Sequence, residues 1–208
     1  MSSSLKAALS GCDVQKPFSL LIRHAQRPKI PKGVFGETVY LTPEGLEQSR
    51  LLAVDLKAPL SSASHSPIFR CEQTVRMFIQ GTDVELEPQQ NSLLFLAYFY
   101  AQEKAEWVLA NRPVREIVTD LIEGRAVEGM KSIEEGSQSL LELLFSPDVP
   151  GLHLFASHDL LICLLNHYLF GLNQFDSSLW PDFLEGIVFW ESEGDRYFSY
   201  QGKQGKIR

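Results

Sequence analysis

An unbroken apolar run at residues 18–23, FSLLIR, constrains the fold of this chain more than any other feature. A run of this length is typical of a strand that is buried on both faces in a parallel sheet. A helical pattern follows at 41–56, with Thr42 as the expected N-cap and Pro43 in the first turn. The same alternation predicts further strands at 58–66 and 151–157 and further helices at 67–81 and 158–171.

Three other regions complete the predicted fold. Residues 84–88, VELEP, suit a third strand, and the C-terminal segment suits two strands joined around Gly194 and Asp195. Between about 91 and 148 the pattern has helical periods without a clear strand, which predicts a helical insertion or cap. Strands that alternate with helices predict an α/β fold, here a three-layer sandwich with a mainly parallel central sheet, helices on both faces and that insertion.

Composition argues against several classes of protein. The formal net charge of -7 over 208 residues disfavours broad nucleic-acid binding, which needs a cationic surface. No apolar stretch reaches the ~18 residues of a transmembrane helix, so we expect no membrane association. Cys12, Cys71 and Cys163 are far apart and without metal-ligand spacing, which predicts a reducing, cytoplasmic environment. LSGC at 9–12 is similar to a lipoprotein cleavage site, but the preceding residues lack the apolar segment of ~7 residues that such a signal needs.

Polar side chains gather where the predicted strands end. Arg23, His24 and Arg27 follow the first strand, Arg70 follows the second, and His158 with Asp159 follows the strand at 151–157. Ligands of parallel α/β sheets bind outside the carboxyl ends of the strands, so these groups are expected to share one pocket. Because the chain as a whole is acidic, the clustered arginines predict a local site for an anion rather than a basic surface.

Four segments carry a resemblance to a known family. LLIRHAQRP, LTPEGLEQS, HSPIFRCEQTV and LFASHD resemble successive signatures of the histidine phosphatase superfamily, which includes phosphoglycerate mutases and histidine acid phosphatases. Their order and approximate spacing match too, over about two-thirds of the chain. The resemblance implies one histidine phosphatase-like domain over residues 1–208 that hydrolyses small-molecule phosphate monoesters without a metal or another cofactor.

The resemblance also implies a role for each residue of the predicted pocket. His24 would attack the phosphorus and carry a phosphohistidine, and His158 would contribute to catalysis by donating to the phosphoryl oxygens. The arginines, Arg23, Arg27 and Arg70, would bind the phosphate with His158, since guanidinium groups match phosphate oxygens in a fork geometry. Asp159 would protonate the leaving oxygen.

The sequence departs from the family pattern at four points, one of which is that Pro28 comes one position earlier than in the acid phosphatases. Ala25 stands where the family has glycine after the nucleophile, which narrows the space there. The mutase-like branch places a catalytic glutamate soon after the third motif, but NSLLFLAYFY at 91–100 contains no acid. The last motif reads His158-Asp159, as in the acid phosphatases, which favours Asp159 as the proton donor. A phosphoglycerate mutase-type phosphotransferase and a noncatalytic phosphate-ligand-binding protein remain the alternatives.

Other candidate residues have simpler interpretations. A metal hydrolase with His24, His158 and Asp159 as ligands is disfavoured, because three neighbouring arginines would repel the cation. Solvated loop charges are the interpretation of Lys29 and Lys32, although a second phosphate subsite is an alternative. The remaining histidines and the tryptophans are expected to be structural or packing residues: His65, His153, His167, Trp107, Trp180 and Trp190.

Overall fold

A computed structural model of the chain describes residues 3–31, 33–34 and 36–207. Within these ranges the helices are α1 (Ser3–Ser10), α2 (Pro43–Leu56), α3 (Phe69–Gln80), α4 (Leu93–Leu96), α5 (Gln102–Asn111), α6 (Val114–Ile122), α7 (Ile133–Leu144) and α8 (Asp159–Phe170). The strands are β1 (Pro17–Arg23), β2 (Leu60–His65), β3 (Gln89–Gln90), β4 (Gly151–Ser157), β5 (Gly186–Ser192), β6 (Asp195–Tyr200) and β7 (Lys203–Lys206). A short 3₁₀ helix at Ser177–Leu179 follows α8.

The strands form one mixed sheet in the order β3-β2-β4-β1-β5-β6-β7. From β3 to β1 each neighbouring pair is parallel, whereas β5, β6 and β7 continue the sheet in antiparallel pairs. The predicted α/β class with a mostly parallel core is therefore confirmed. Short turns join β5 to β6 and β6 to β7, so these strands return beside each other in antiparallel pairs.

Both faces of the sheet are covered by apolar side chains. Leu21 of β1 packs with residues of α4 to α8 on one face, while Leu20 and Ile22 pack with residues of α1, α2 and α3 on the other. This alternation follows from the two-residue period of a strand. It explains why Leu20, Leu21 and Ile22 are consecutive apolar residues, since a strand with two covered faces has no solvent side.

Most predicted elements have the bounds that the sequence suggested. The strand at 151–157 is β4 to the residue, and α2 begins at Pro43 with the Thr42 hydroxyl accepting a hydrogen bond from the Gly45 backbone amide. Glycine closes α8 as expected, with Gly171 in the left-handed conformation. Helices α4 to α7 fill the predicted insertion between 91 and 148.

Two predictions of local structure were wrong. The third helix begins at Phe69 and not at Pro67, because the Ser66 hydroxyl accepts the Ile68 amide and holds a turn before the helix. Residues 84–88 are not a strand; the chain pairs with β2 only at Gln89–Gln90. Helix α1 and strand β7 were not predicted. No helix in the described part of the chain has the length and apolar character needed to cross a membrane.

Candidate active site

The sheet places the predicted polar residues at one edge. Strands β1 and β4 are parallel neighbours, and Arg23 lies opposite Ser157 at the ends of both. His24 and His158 therefore leave the sheet side by side, with ring centroids 5.5 Å apart. Arg70 joins them from the first turn of α3, where a cation is unfavourable for the helix dipole and so calls for another partner.

His24 is buried, with 1% of its surface exposed, and its tautomer is set by the backbone. Nδ1 lies 2.8 Å from the Ala25 carbonyl oxygen, which can only accept, so Nδ1 carries the proton. Nε2 keeps its lone pair and accepts a hydrogen bond from Arg70 Nε at 3.1 Å. Burial, followed by the charge of Arg70, holds the pKa of His24 well below its ordinary value of 6.5, so the ring is neutral at pH 7.

Arg23 is held from three sides. Its Nη2 forms an ion pair with Asp159 Oδ2 at 2.8 Å, and its Nη1 donates to the Pro181 carbonyl oxygen at 2.9 Å. The guanidinium carbon lies 4.1 Å from the centroid of the Phe183 ring, within the range of a cation–π contact. Phe183 also packs against His24, with centroids 5.7 Å apart. These contacts orient Arg23 without using its Nε, which is buried and has no partner.

Arg70 links the two histidines. Its Nη2 donates to His158 Nδ1 at 3.2 Å, and its Nη1 donates to the Gly36 carbonyl oxygen at 2.8 Å. Because His158 Nδ1 accepts, the proton lies on Nε2, which donates to Ser66 Oγ at 2.8 Å. Burial, with the charge of Arg70 second, lowers the pKa of His158 well below its ordinary value. In this arrangement both His158 nitrogens are occupied by protein groups.

Arg27 completes the cluster from the loop after β1. Its Nη1 donates to the Pro28 carbonyl oxygen, while its Nε is buried without a partner. Burial, followed by the nearby charge of Arg70, lowers the pKa of Arg27. Unpartnered buried donors are rare because each costs the desolvation of an N–H group. This site has two of them, on Arg23 and Arg27. It also has more guanidinium groups than carboxylates, since among the described residues Asp159 is the one acid beside them. Both features indicate a binding site for an anion.

A cleft of about 730 Å³ opens from this cluster. Arg27, Arg70, His158 and Asp159 lie on its wall, whereas His24 lies behind Arg70. Lys29 is exposed and also lines the cleft, and Lys32 falls outside the described residues. Among the described residues that line the cleft, Asp159 is the only acid. Its Oδ1 accepts a hydrogen bond from the Leu160 amide at 2.9 Å. An anion that enters the cleft therefore meets Arg27, Arg70 and His158 first.

Sequence reasoning missed several groups that hold this site. The Ser66 hydroxyl positions His158, and its place at the head of the SPIFR segment was the one available signal. The carbonyl oxygens of Pro181 and Gly36 anchor Arg23 and Arg70. Phe183 packs against both Arg23 and His24 from a loop that carries no recognisable pattern.

The other histidines have structural partners. His153 bonds to Ser62 Oγ and to the Val149 carbonyl oxygen, and His167 Nε2 accepts from the Asp176 amide. His65 lies beside the Ser66 carbonyl oxygen. No group of three histidine, cysteine or acidic residues in the described ranges could hold a metal ion.

Two tryptophans pack as expected and one does not. Trp180 packs against the apolar cluster on the α8 face, and Trp190 stacks on Tyr197. Trp107 was expected to pack but is 64% exposed on α5, because its helix buries Ala105 and Val108 instead.

Comparisons with known proteins point to the same family as the motifs. Residues 19–93 match the model of the histidine phosphatase superfamily, branch 1. No curated protein matches the sequence at a significant level.

Solved structures share the fold over most of their length at low sequence identity. YhfR from Bacillus stearothermophilus is 16% identical with a TM-score of 0.61, covering 89% of this chain and 96% of that one. The open reading frame Rv3214 from Mycobacterium tuberculosis is 16% identical with a TM-score of 0.58, covering 89% and 96%. Phosphoserine phosphatase from Entamoeba histolytica, solved with 3-phosphoglyceric acid, is 18% identical with a TM-score of 0.58, covering 84% and 90%. The chain therefore shares the fold of these structures, and over residues 19–93 it is similar to the histidine phosphatase superfamily.

Proposed function

We propose that this protein is a metal-independent phosphatase that hydrolyses phosphate monoesters through a phosphohistidine on His24. Members of the superfamily are phosphatases or mutases. The observation that carries the proposal is a neutral His24 imidazole whose unprotonated Nε2 is bound only to Arg70 Nε, set beside two buried arginine N–H groups that have no partner. A bound phosphate would accept hydrogen bonds from those two N–H groups. The His24 imidazole would then lie beside the phosphate as the nucleophile that the first half-reaction needs.

In the first half-reaction the phosphate would compete with existing contacts in the cluster. Its oxygens would accept from Arg27 and Arg70, and Arg70 Nε would leave His24 Nε2, which frees the lone pair. Nε2 then attacks phosphorus, the ester P–O bond breaks, and its electron pair goes to the leaving oxygen, which takes a proton from the Asp159 carboxyl. Donors already in position stabilise the charge on the equatorial oxygens.

In the second half-reaction water would replace the alcohol. The water oxygen attacks phosphorus, and the Asp159 carboxylate takes a proton from that water. The P–N bond then breaks, its electron pair returns to Nε2, and inorganic phosphate leaves. Nδ1 keeps its proton throughout because the Ala25 carbonyl oxygen holds it.

The ion pair between Arg23 and Asp159 bears on the acid role. In the ligand-free arrangement Asp159 accepts from Arg23 Nη2 and from the Leu160 amide, and both contacts suit a carboxylate. A bound phosphate would draw Arg23 toward its own oxygens and add negative charge beside Asp159. Substrate binding would thus release Asp159 from Arg23 for the acid role.

The glutamates of the insertion do not offer a second acid in this arrangement. Glu103, Glu106, Glu123 and Glu128 are absent from the described lining of the cleft, and Glu128 is paired with Lys104 on the surface. This supports hydrolysis over a mutase-type transfer. A noncatalytic phosphate-binding protein would not need an unprotonated His24 Nε2 inside the cationic cluster. A cytoplasmic location stays a prediction, supported by the three unpaired cysteines.

A panel of phosphate esters tests the proposal. Phosphate release is measured with 4-nitrophenyl phosphate, phosphoserine, 3-phosphoglycerate and alkyl phosphates in the presence of a chelator. We expect turnover in the wild type and in His153→Asn, a control at the other end of β4, and none in His24→Asn. Labelled substrate quenched in alkali should leave an acid-labile phosphoryl group on His24.

Each alternative has a distinct result. Activity lost in chelator would indicate a metal enzyme, and phosphoryl transfer between phosphoglycerates without release would indicate a mutase. Phosphate binding without turnover of any ester would indicate a binding protein. Near-native turnover by a folded His24→Asn variant would exclude the phosphohistidine.

A further inference from the structure

The part of the cleft beyond the phosphate cluster has a mainly apolar wall. Aromatic and aliphatic side chains from the insertion and from the start of α8 line it: Phe95, Phe99, Leu109, Val114, Leu160 and Leu161. The apolar wall begins beside the phosphate cluster, since Leu160 follows Asp159 in the chain and the Phe95 ring lies 5.8 Å from the His158 ring. A substrate held by its phosphate would therefore place its alcohol portion against this wall.

Two polar residues of the outer wall, Arg112 and Asn111, are engaged within the protein, whereas Lys29 also lines the cleft and is exposed. Arg112 forms an ion pair with Asp120 at 2.6 Å, and the Asn111 amide donates to the Trp107 carbonyl oxygen at 2.8 Å. Asp159, the only lining acid among the described residues, is bound to Arg23. The ammonium group of a substrate such as phosphoserine needs a carboxylate as its partner. Among the described residues of the outer wall, none offers an unpaired carboxylate.

The size of the cleft also exceeds what a short ester would fill. About 730 Å³ lies in the range of roughly 300–1,000 Å³ that holds ligands the size of a drug molecule. A short polar ester would leave the apolar wall in contact with water. An apolar body would bury that wall, and each buried methylene favours binding by up to about fourfold.

We infer that the cleft takes phosphate monoesters whose alcohol carries a bulky apolar or aromatic body, in preference to short polar esters. This rests on the proposed phosphatase function and names its substrate class. Leu109, which lies half-buried on α5 and faces the cleft, is then a specificity-determining residue.

A chain-length series tests the inference. The value of kcat/KM is measured for ethyl, butyl, hexyl and octyl phosphate, below the micelle concentration of each, and for phosphoserine. We expect a rise of roughly two- to fourfold per buried methylene, with octyl phosphate far above phosphoserine. Leu109→Asn should lower the octyl-to-ethyl ratio about tenfold, because the amide would have to be desolvated against the chain.

The matched control is Leu172→Asn, an exposed leucine outside the cleft lining, which should leave that ratio unchanged. Binding of ethyl- and octylphosphonate, measured by calorimetry, separates the two proposals. A flat length dependence of turnover and of phosphonate affinity would overturn the inference while leaving the phosphatase intact. If no ester is hydrolysed, the proposed function fails. The apolar cleft is still supported in that case if phosphonate affinity rises with chain length in the wild type but not in Leu109→Asn.

Discussion

At the scale of single residues, hydrogen bonds decide what the polar side chains can do. The sequence predicts a reactive histidine at position 24, but only the Ala25 carbonyl oxygen shows that Nε2 holds the lone pair. In the same way, the hydrogen bonds to Arg70 and to the Ser66 hydroxyl show that the proton of His158 lies on Nε2. Both histidines are buried beside Arg70 and neutral, but only His24 is suited to act as a nucleophile, because Arg70 and Ser66 engage both nitrogens of His158.

The proposed acid, Asp159, is tested by the identity of the leaving group. Asp159→Asn should slow alkyl phosphates by about 10²–10⁴-fold, because an alkoxide needs a proton as the bond breaks. A nitrophenolate leaves nearly unaided, so 4-nitrophenyl phosphate should be slowed far less. Pre-steady-state bursts should be compared, since Asp159 also activates water in the second half-reaction.

The control for Asp159 is Glu128→Gln, which removes a surface carboxylate paired with Lys104. Its burst rates should match those of the wild type with both esters. Equal slowing of both burst rates in Asp159→Asn would show that Asp159 does not protonate the leaving group, and would return attention to the insertion glutamates.

At the scale of elements, the start of α2 supports the loop that leaves β1. The Thr42 amide donates to the Gln26 carbonyl oxygen at 3.0 Å, and Gly45 packs against the Gln26 backbone. Gln26 lies between His24 and Arg27, so this contact bears directly on the phosphate cluster. The motif LTPEGLEQS thus combines a helix N-cap with a glycine that permits close approach.

Replacement of Gly45 tests this support. A Cβ at this position would lie 2.3 Å from the Gln26 carbonyl oxygen, a distance that forces the backbone to move. Gly45→Ala should lower the free energy of unfolding by about 1–3 kcal/mol and weaken inhibition by inorganic phosphate. Gly11→Ala is the control, because its Cβ would lie an ordinary 3.5 Å from Ala8. Native phosphate affinity in Gly45→Ala would show that the loop position does not depend on this contact.

At the scale of the whole molecule, the buried histidines couple stability to pH. Both His24 and His158 have pKa values well below 6.5 in the folded protein, whereas unfolded histidines titrate near 6.5. Below that pH the unfolded chain binds protons that the folded protein does not, so stability falls as pH falls. For one histidine the slope is at most about 1.4 kcal/mol per pH unit.

Urea unfolding between pH 5 and 8.5 measures this coupling. We propose that the chain unfolds as one unit, since a single sheet joins its N- and C-terminal strands. The stability of His24→Asn should fall less steeply below pH 6.5 than that of the wild type. Between pH 7.5 and 8.5 the two curves should run parallel, because His24 is neutral in both states. Identical slopes at low pH would mean that His24 is not held neutral by folding.

Local signals in the sequence were sufficient for the elements that border the site. The apolar runs of β1 and β4 and the Thr42-Pro43 start of α2 were all placed to within a residue, because burial on two faces and helix capping are recorded in neighbouring residues. The parallel order of the strands then predicted that Arg23, His24, Arg70, His158 and Asp159 would meet at one edge, and they do.

Other features of the site and of the fold depend on contacts between residues that are far apart in the chain. Arg23 is oriented by Pro181 and Phe183, and Trp107 is exposed because its helix turns other residues toward the core. The apolar cleft likewise combines residues of the insertion with residues of α8. No periodicity or cap in a local segment records such contacts, because their stability comes from surfaces that exist only after the sheet and the insertion have packed together.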